Sequence, residues 1–281
     1  MRLSRDLRRF LLIWMGLSVV ATPLVAILAG PLMPPGRQSD AASGQATDFA
    51  VSTTLATPVV LLILTFLAYV LVAFRQKGDT IEDGARIFGD RRAQIAWIVG
   101  SVALVTGIFT FVTVRLLEPG AAGSGQGPVP LSPLTVSTEG KPAMPVQVIG
   151  QQWQFSYRYP TYGGVETPHL VLPAGRPVEF HVTSLDVIHS FWAYGLGVKA
   201  DANPAVDNVA YATPKKLGSF DIRCAELCGI WHGYMFDKGR VVTPTEFGTW
   251  IDGQRRAFAP VMDDLPPYSH TYDPTPRGRA G

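Results

Sequence analysis

Long apolar runs and short alternating segments divide the chain into two parts. The first part contains three apolar runs, at residues 10–33, 58–74 and 93–114. About 20 apolar residues in a helix cross the roughly 30 Å hydrocarbon core of a bilayer. The pattern therefore predicts membrane helices, the last two forming a hairpin at 51–117. The second run is long enough to span only if its helix begins near Val51.

The first run, within residues 1–33, permits two interpretations. It follows four arginines and ends in small residues, which is typical of a secretory signal peptide. Its length also suits a retained membrane span. We expect either a cleaved signal peptide or a first membrane helix.

Charges between the apolar runs predict the orientation of the chain. The connection from Pro34 to Thr57 contains a single basic residue, Arg37. The connection between the second and third runs is basic: Arg75, Lys77, Arg86, Arg91 and Arg92. Because short basic loops stay in the cytoplasm, everything after Leu117 is expected outside. This predicts a multi-pass protein of the cell membrane.

The second part of the chain begins with a linker at 118–145 that is rich in Gly, Pro and Ser. Short alternating β-branched and aromatic segments follow, such as VQVIGQQWQFSYRYP, PVEFHVTSL and GSFDIRC. They predict an all-β Greek-key sandwich at 146–258.

Helical spacing marks the end of this predicted domain, in TEFGTWIDGQRRAF at 245–258. Phe247, Trp250 and Ile251 fall on one side of that helix, and Thr245 is a candidate N-cap. The proline-rich tail at 259–281 is expected to be disordered.

Composition agrees with a membrane protein and argues against a nucleic-acid partner. The 281 residues are 47% hydrophobic and only 16% charged, whereas soluble proteins contain about 25% charged residues. The formal net charge of +2 gives no basic face of the kind that nucleic-acid binding requires.

Candidate metal chemistry is concentrated in CAELCGIWHGYM, residues 224–235. It contains the only two cysteines of the chain, with His232 and Met235. Thiolate and thioether beside imidazole indicate copper, zinc or iron–sulfur chemistry, and two imidazoles with a cysteine and a weakly bound Met are typical of electron-transfer copper on a β-sandwich. His189, in VIHSFW at the end of the PVEFHVTSLD strand, offers the second imidazole. One cysteine with these ligands would make a mononuclear site.

The presence of both Cys224 and Cys228 favours a dinuclear site instead. Two thiolates can bridge two copper ions, each with one imidazole and one weak axial ligand, Met235 or a backbone carbonyl within the loop. A disulfide is the simplest alternative outside the cytoplasm, and a zinc site would use ligands other than a terminal Met. His169, His181 and His270 lack such neighbours and are expected to be structural or solvated.

The motif resembles the dinuclear copper A motif of cytochrome c oxidase subunit II. The resemblance runs from the second membrane span through Ile251 and includes DVIHSFW, LGVKADANP and CAELCG. It implies a cupredoxin sandwich anchored by membrane helices and two copper ions. The implied copper ligands are His189, Cys224, the carbonyl of Glu226, Cys228, His232 and Met235. The side chain of Glu226 would bind magnesium or manganese shared with subunit I.

The resemblance also implies a function within a complex. The chain would accept electrons from a c-type cytochrome and pass them to the haem–copper subunit, which reduces oxygen to water and pumps protons. Other oxidase subunits and membrane lipid are further expected partners. A related nitric-oxide-reducing complex and a copper carrier are the alternatives.

Two residues are implicated in the reaction with the cytochrome. Trp153, in GQQWQFSYRY, matches the tryptophan through which electrons enter, and Asp186 is a candidate docking charge. The usual His-Gln-Trp-aromatic-Trp pattern is here Gln-Gln-Trp-Gln-Phe, so Gln151, Gln154 and Phe155 replace three of its residues. Gln94 stands where a proton-channel glutamate is often found, which leaves that role open.

Overall fold

The computed structural model describes residues 4–32, 36–75, 78, 89–116 and 143–262. The chain divides into two compact units. The first comprises Met1–Met33 and Thr47–Val114, and the second comprises Pro34–Ala46 and Arg115–Gly281.

Three apolar helices dominate the described part of the chain before residue 117. They are α1 (Arg5–Leu32), α2 (Asp40–Ala73) and α3 (Arg91–Leu116). All three are long and apolar enough to cross a membrane. The prediction of N-terminal membrane helices is therefore confirmed, and the chain is a membrane protein.

Helix α1 lies beside α2 within the first unit. The indole of Trp14 donates a hydrogen bond to the carbonyl oxygen of Pro58 across 2.8 Å. Nearer the other end of α2, the Tyr69 hydroxyl donates to Asp6 across 2.9 Å. Phe10 contacts the Tyr69 ring edge-on at 6.2 Å between centroids.

Helix α2 begins at Asp40. This start lies eleven residues before Val51, near which hydropathy alone predicts that the helix begins. Ser39 caps the helix, since its hydroxyl accepts a hydrogen bond from the Ala42 amide at 3.0 Å. The first turns contain small residues that the second unit buries, such as Ala42 and Ala46. Hydropathy misses this part of the helix because it is not continuously apolar.

The second unit is a sandwich of two five-stranded sheets, as the alternating pattern predicts. One sheet has the order β3-β2-β1-β5-β8 and the other β4-β10-β9-β6-β7. The strands are β1 (Met144–Gln151), β2 (Gln154–Tyr159), β3 (Val165–Thr167), β4 (Val171–Pro173), β5 (Val178–Ser184), β6 (His189–Ala193), β7 (Val198–Ala202), β8 (Asn208–Ala212), β9 (Gly218–Cys224) and β10 (Phe236–Val242).

Aromatic side chains from both sheets fill the centre of the sandwich. Phe191 of β6 contacts three rings from the facing sheet: Phe155, Tyr157 and Phe180, with centroids 5.7–6.3 Å apart. Phe191, Tyr157 and Phe180 are completely buried. Since β6 begins at His189, this packing fixes the strand that presents the first candidate ligand.

Two local details differ from the sequence predictions. His189 does not end the PVEFHVTSLD strand, because β5 stops at Ser184 and His189 opens a new strand in the other sheet. The last helix, α4, spans Pro244–Met262. Its cap is Thr243, whose hydroxyl accepts a hydrogen bond from the Glu246 amide at 3.2 Å, so the assignment to Thr245 is wrong.

Some sequence predictions concern residues outside those that the structure describes. They are the linker up to residue 142, most of the basic connection between α2 and α3, and the tail from 263 onward, which includes His270. Helix α4 continues four residues beyond the predicted end at 258.

Candidate metal centre

The motif loop connects two adjacent strands of one sheet. It leaves β9 after Cys224 and enters β10 at Phe236. The Cys224 amide donates to the Met235 carbonyl oxygen at 3.0 Å, which closes the loop at its base. The Ala225 amide donates to Ser190 at 2.9 Å, so the loop is also attached beside His189.

The two cysteines lie side by side with free thiols. Their sulfur atoms are 3.7 Å apart, whereas a disulfide bond is about 2.05 Å long. Both side chains are buried, with 8% of Cys224 and 3% of Cys228 exposed. The disulfide alternative therefore does not describe this structure.

Each candidate imidazole approaches a different cysteine. The Nδ1 atom of His189 is 3.9 Å from Cys224 Sγ, and Nδ1 of His232 is 3.6 Å from Cys228 Sγ. His189, Cys224 and Cys228 present ligand atoms that all lie within 4.8 Å of one another. The motif and the distant histidine thus meet at one place.

The two weaker candidate ligands complete the cluster. The Met235 thioether sulfur lies 3.8 Å from Cys228 Sγ, and the Cys224 thiol donates to the Glu226 carbonyl oxygen at 3.2 Å. All six sequence-predicted donors are therefore in contact around the two thiols. This soft set of sulfur and imidazole donors fits copper, while the thioether argues against a structural zinc site.

The thiols have opposite pKa shifts. Burial opposes ionisation of Cys224, but hydrogen bonds with His189 and with the backbone lower its pKa to about 6. Burial and the neighbouring Cys224 sulfur raise the pKa of Cys228 to about 12. Near neutral pH the pair therefore favours one thiolate, which is the form that binds metals.

His189 is fixed on the side away from the thiols. Its Nε2 atom is 2.8 Å from the Asp186 carboxylate, and its side chain is fully buried. Burial opposes protonation, but hydrogen bonds to Cys224 and Asp186 raise the pKa of His189. Gly150 allows this placement, because a Cβ there would lie 3.0 Å from the imidazole Cδ2.

Residues from the end of β1 contact the other side of the loop. The Gln152 side-chain amide and the Trp153 indole both donate to the Cys228 carbonyl oxygen, at 2.9 and 3.1 Å. The opposing residue is Gly229, whose φ of +117° favours glycine. Sequence reasoning selected Trp153 but not Gln152, which carries no recognisable metal chemistry.

Comparison with known proteins agrees with this geometry. Residues 165–238 match the family model described as cytochrome C oxidase subunit II, periplasmic domain. A cytochrome c oxidase subunit 2 of Thermostichus vulcanus is 28% identical over 254 residues, which cover 77% of each chain. The chain belongs to the cytochrome c oxidase subunit II family. It therefore belongs to a haem–copper oxidase complex and has an extracytoplasmic domain in addition to its membrane helices.

Two further matches of this subunit II chain are shorter. A probable cytochrome c oxidase subunit 2 of Mycobacterium leprae is 39% identical over 126 residues, covering 41% of this chain and 36% of that protein. The crystal structure of the periplasmic domain of subunit II from Bradyrhizobium japonicum is 32% identical. It matches 41% of this chain and 95% of its own, with a TM-score of 0.40.

The structure describes two further histidines of this subunit II chain, and both lie away from the cluster. His181 lies on β5 with Nδ1 2.8 Å from Asp207 and Nε2 3.4 Å from Glu179. His169 is exposed and contacts Asp237 at 2.8 Å. Both fit the structural or solvated roles predicted for them.

The motif loop of this subunit II chain also exposes several large apolar side chains. Leu227, Ile230 and Tyr234 have 78%, 83% and 70% of their surfaces exposed. They lie in the same loop as the candidate ligands Cys228 and His232, so this loop presents an exposed apolar surface. An apolar surface of this kind is typical of a protein–protein contact.

Proposed function

We propose that the chain is the electron-accepting subunit of a cytochrome c oxidase in the plasma membrane. It takes electrons singly from a c-type cytochrome on the outer side and passes them to the haem–copper subunit. Oxygen is reduced to water there, coupled to proton pumping. The observation that carries this proposal is the contact of two imidazoles, a thioether and a backbone carbonyl with a pair of free thiols.

The six donors would hold two copper ions. Held by these donors, the copper ions would supply a one-electron carrier. The protein contributes by fixing the ligands beforehand. Cys224 and Met235 are joined through their backbones at the base of the loop, and the Cys228 carbonyl accepts two hydrogen bonds. Such preorganisation reduces the movement that each electron transfer requires.

Trp153 is proposed as the residue through which electrons enter. Its indole ring is partly exposed, so a docked cytochrome can contact it. Its N–H is hydrogen-bonded to the carbonyl of Cys228, one of the proposed copper ligands. The ring therefore connects the surface to the site through one hydrogen bond and one residue.

Glu226 is proposed to serve two metals through different atoms. Its carbonyl oxygen contacts the Cys224 thiol at 3.2 Å, while its side chain is exposed. A carboxylate suits hard ions such as magnesium or manganese, which bind oxygen ligands. We propose that this ion is shared with subunit I.

The exposed apolar side chains of the motif loop support a protein partner over the site. We assign this surface to contacts with subunit I and with the cytochrome, because electrons must enter and leave close to the cluster. Membrane lipid would surround the apolar helices, and the other oxidase subunits would bind within the same complex.

The test is the copper content and spectrum of the full-length protein purified in detergent. We expect two copper ions per chain and an electron paramagnetic resonance signal from one electron shared by both. Cys224→Ser or Cys228→Ser should abolish that signal. Met235→Leu should perturb it less, because a thioether would be a weaker copper ligand than a thiolate. One copper ion per chain with a blue single-centre spectrum would overturn the dinuclear proposal.

A further inference from the structure

The Asp186 carboxylate is occupied by hydrogen bonds at the edge of the cluster. Its Oδ2 accepts from the Gln152 amide at 2.7 Å. Its Oδ1 accepts from the Val187 amide at 2.6 Å and the Ser184 hydroxyl at 3.3 Å, and lies 2.8 Å from His189 Nε2. Three nitrogen atoms therefore contact the two oxygens, and the Ser184 hydroxyl, which also faces the Val187 carbonyl oxygen, lies nearby.

The contact with His189 determines which ring nitrogen faces the thiols. When Nε2 donates its proton to a carboxylate, Nδ1 keeps its lone pair for a metal. In the structure Nδ1 is the atom that lies 3.9 Å from Cys224 Sγ. Asp186 therefore selects both the orientation of the imidazole and its ligand atom.

Apolar contacts do not provide the same constraint. Gly150 and Phe155 border the ring, the Phe155 centroid at 6.4 Å, and they limit the space around it. Neither neighbour distinguishes the two nitrogen atoms of the imidazole. The hydrogen bond to Asp186 does so, since it engages only Nε2.

Gln152 connects this carboxylate with the second cysteine. Its backbone amide donates to Asp186, and its side-chain amide donates to the Cys228 carbonyl oxygen at 2.9 Å. A single residue thus joins the support of His189 to the loop that carries Cys228. The connection links two strand ends that are distant in sequence.

We propose that Asp186 is a positioning residue that orients His189 for metal binding, and that Gln152 couples this support to Cys228. The proposal rests on the copper function proposed above. It gives Asp186 a structural role at the metal site. The docking role predicted from the sequence is a separate property of the same carboxylate, whose side chain is 33% exposed, and it acts by steering a partner through solvent.

The experiment compares Asp186→Asn and Asp186→Ala with Asp201→Asn in full-length, copper-loaded protein. Asp201 is an exposed carboxylate on β7, so Asp201→Asn removes the same charge at another place on the protein. We expect copper affinity to fall by about 10–100-fold in both Asp186 variants, as for other residues that orient metal-binding histidines. The hyperfine-shifted proton signals of the His189 ring and the reduction potential should also change. Asp201→Asn should leave all three unchanged.

A second variant keeps the test independent of any folding defect. Gln152→Ala keeps the backbone amide that donates to Asp186 and removes the contact with Cys228. It should alter the cysteine proton signals more than those of the His189 ring. Equal effects on both ligands would contradict the proposed division of roles. Far-ultraviolet circular dichroism of each variant verifies the fold.

The outcomes separate this inference from the proposed function. If wild-type protein fails to bind two copper ions, the proposed function fails. If it binds them and the Asp186 variants keep affinity, spectrum and potential, the positioning role fails. A docking role would instead appear as a weaker salt dependence of reduction by cytochrome c with an unchanged copper spectrum.

Discussion

Trp153 donates its indole N–H to the carbonyl oxygen of Cys228 across 3.1 Å. The hydrogen bond joins a partly exposed aromatic ring to a buried candidate ligand. It also places the end of β1 directly against the motif loop, although the two residues are 75 positions apart. The proposed route of the electron and the support of the metal site therefore share one contact.

Trp153→Gln should slow the reduction of copper by a c-type cytochrome severely, because the aromatic route to Cys228 is lost. Donor affinity should change little, since docking depends on charges distributed over the surface. Stopped-flow reduction at several ionic strengths separates rate from affinity. Trp250→Phe on α4, away from the cluster, is the matched aromatic control. A loss confined to affinity would contradict the role of Trp153.

Glu226→Gln should leave copper binding intact and weaken the site for magnesium or manganese. The substitution keeps the backbone carbonyl that contacts Cys224 and removes the negative charge that hard ions prefer. Metal analysis of the purified oxidase complex measures both. Copper loss with the hard ion retained would reverse the assignment of the two atoms.

Gly229→Ala should distort the loop. The residue has a φ of +117°, and an added Cβ would lie 3.1 Å from Gln152 Nε2 and 3.3 Å from the Trp153 ring. Backbone strain of this kind costs about 1–3 kcal/mol. We expect a lower unfolding temperature and an altered copper spectrum.

Gly233→Ala is the matched control for this change. Gly233 lies in the same loop, and a Cβ there would meet no atom within 4 Å. It should leave the stability and the spectrum close to wild type. Equal effects of both substitutions would show that loop flexibility, and not the contact with β1, is what the loop requires.

The ligands could be predicted from the sequence, but their supports could not. Four side chains of the motif are close in sequence, so one loop brings them together. His189 could be identified because it lies in DVIHSFW, which is part of the resemblance to the copper A motif. Asp186 and Gln152 contact the site only because β1 and β5, which are adjacent parallel strands, end at the same edge of the sandwich. Sheet order determines that proximity, and alternation along a strand does not reveal sheet order.

The same distinction applies to the helices. Hydropathy predicted the apolar parts of α1, α2 and α3, because length and composition suffice for a membrane span. The first turns of α2 were missed because Ala41, Ala42 and Ala46 are small residues buried by the sandwich unit. Their burial depends on tertiary contacts. The composition of this stretch gives no signal for such contacts.

We expect the mature protein to retain α1. Trp14 and Pro58, and likewise Asp6 and Tyr69, are joined by hydrogen bonds of 2.8 and 2.9 Å between α1 and α2. Cleavage of α1 as a signal peptide would remove the hydrogen bonds that the Pro58 carbonyl and the Tyr69 hydroxyl make with it. The intact mass of the purified protein decides between the two interpretations, and a mass lacking the first 30 or so residues would favour the signal peptide.

His181 should make the stability of the sandwich depend on pH. The imidazole is 3% exposed and lies between Asp207 and Glu179. Burial alone would disfavour its charged form, but the two carboxylates raise its pKa to about 9 from 6.5. A raised pKa means that the folded state binds the proton more tightly than the unfolded state. The stabilisation is therefore complete below the unfolded pKa of about 6.5 and is lost as the pH rises through about 9.

Thermal unfolding of the full-length protein across this pH range measures the effect. His181→Gln should lower the unfolding temperature most at the acidic end, so that the wild-type and variant curves converge as the pH rises through the folded pKa. His169→Gln, which alters an exposed imidazole on the same sandwich, is the control and should keep the wild-type pH profile. If His181→Gln lowers stability equally at both ends of the range, the contribution of His181 is packing and not the ion pairs with Asp207 and Glu179.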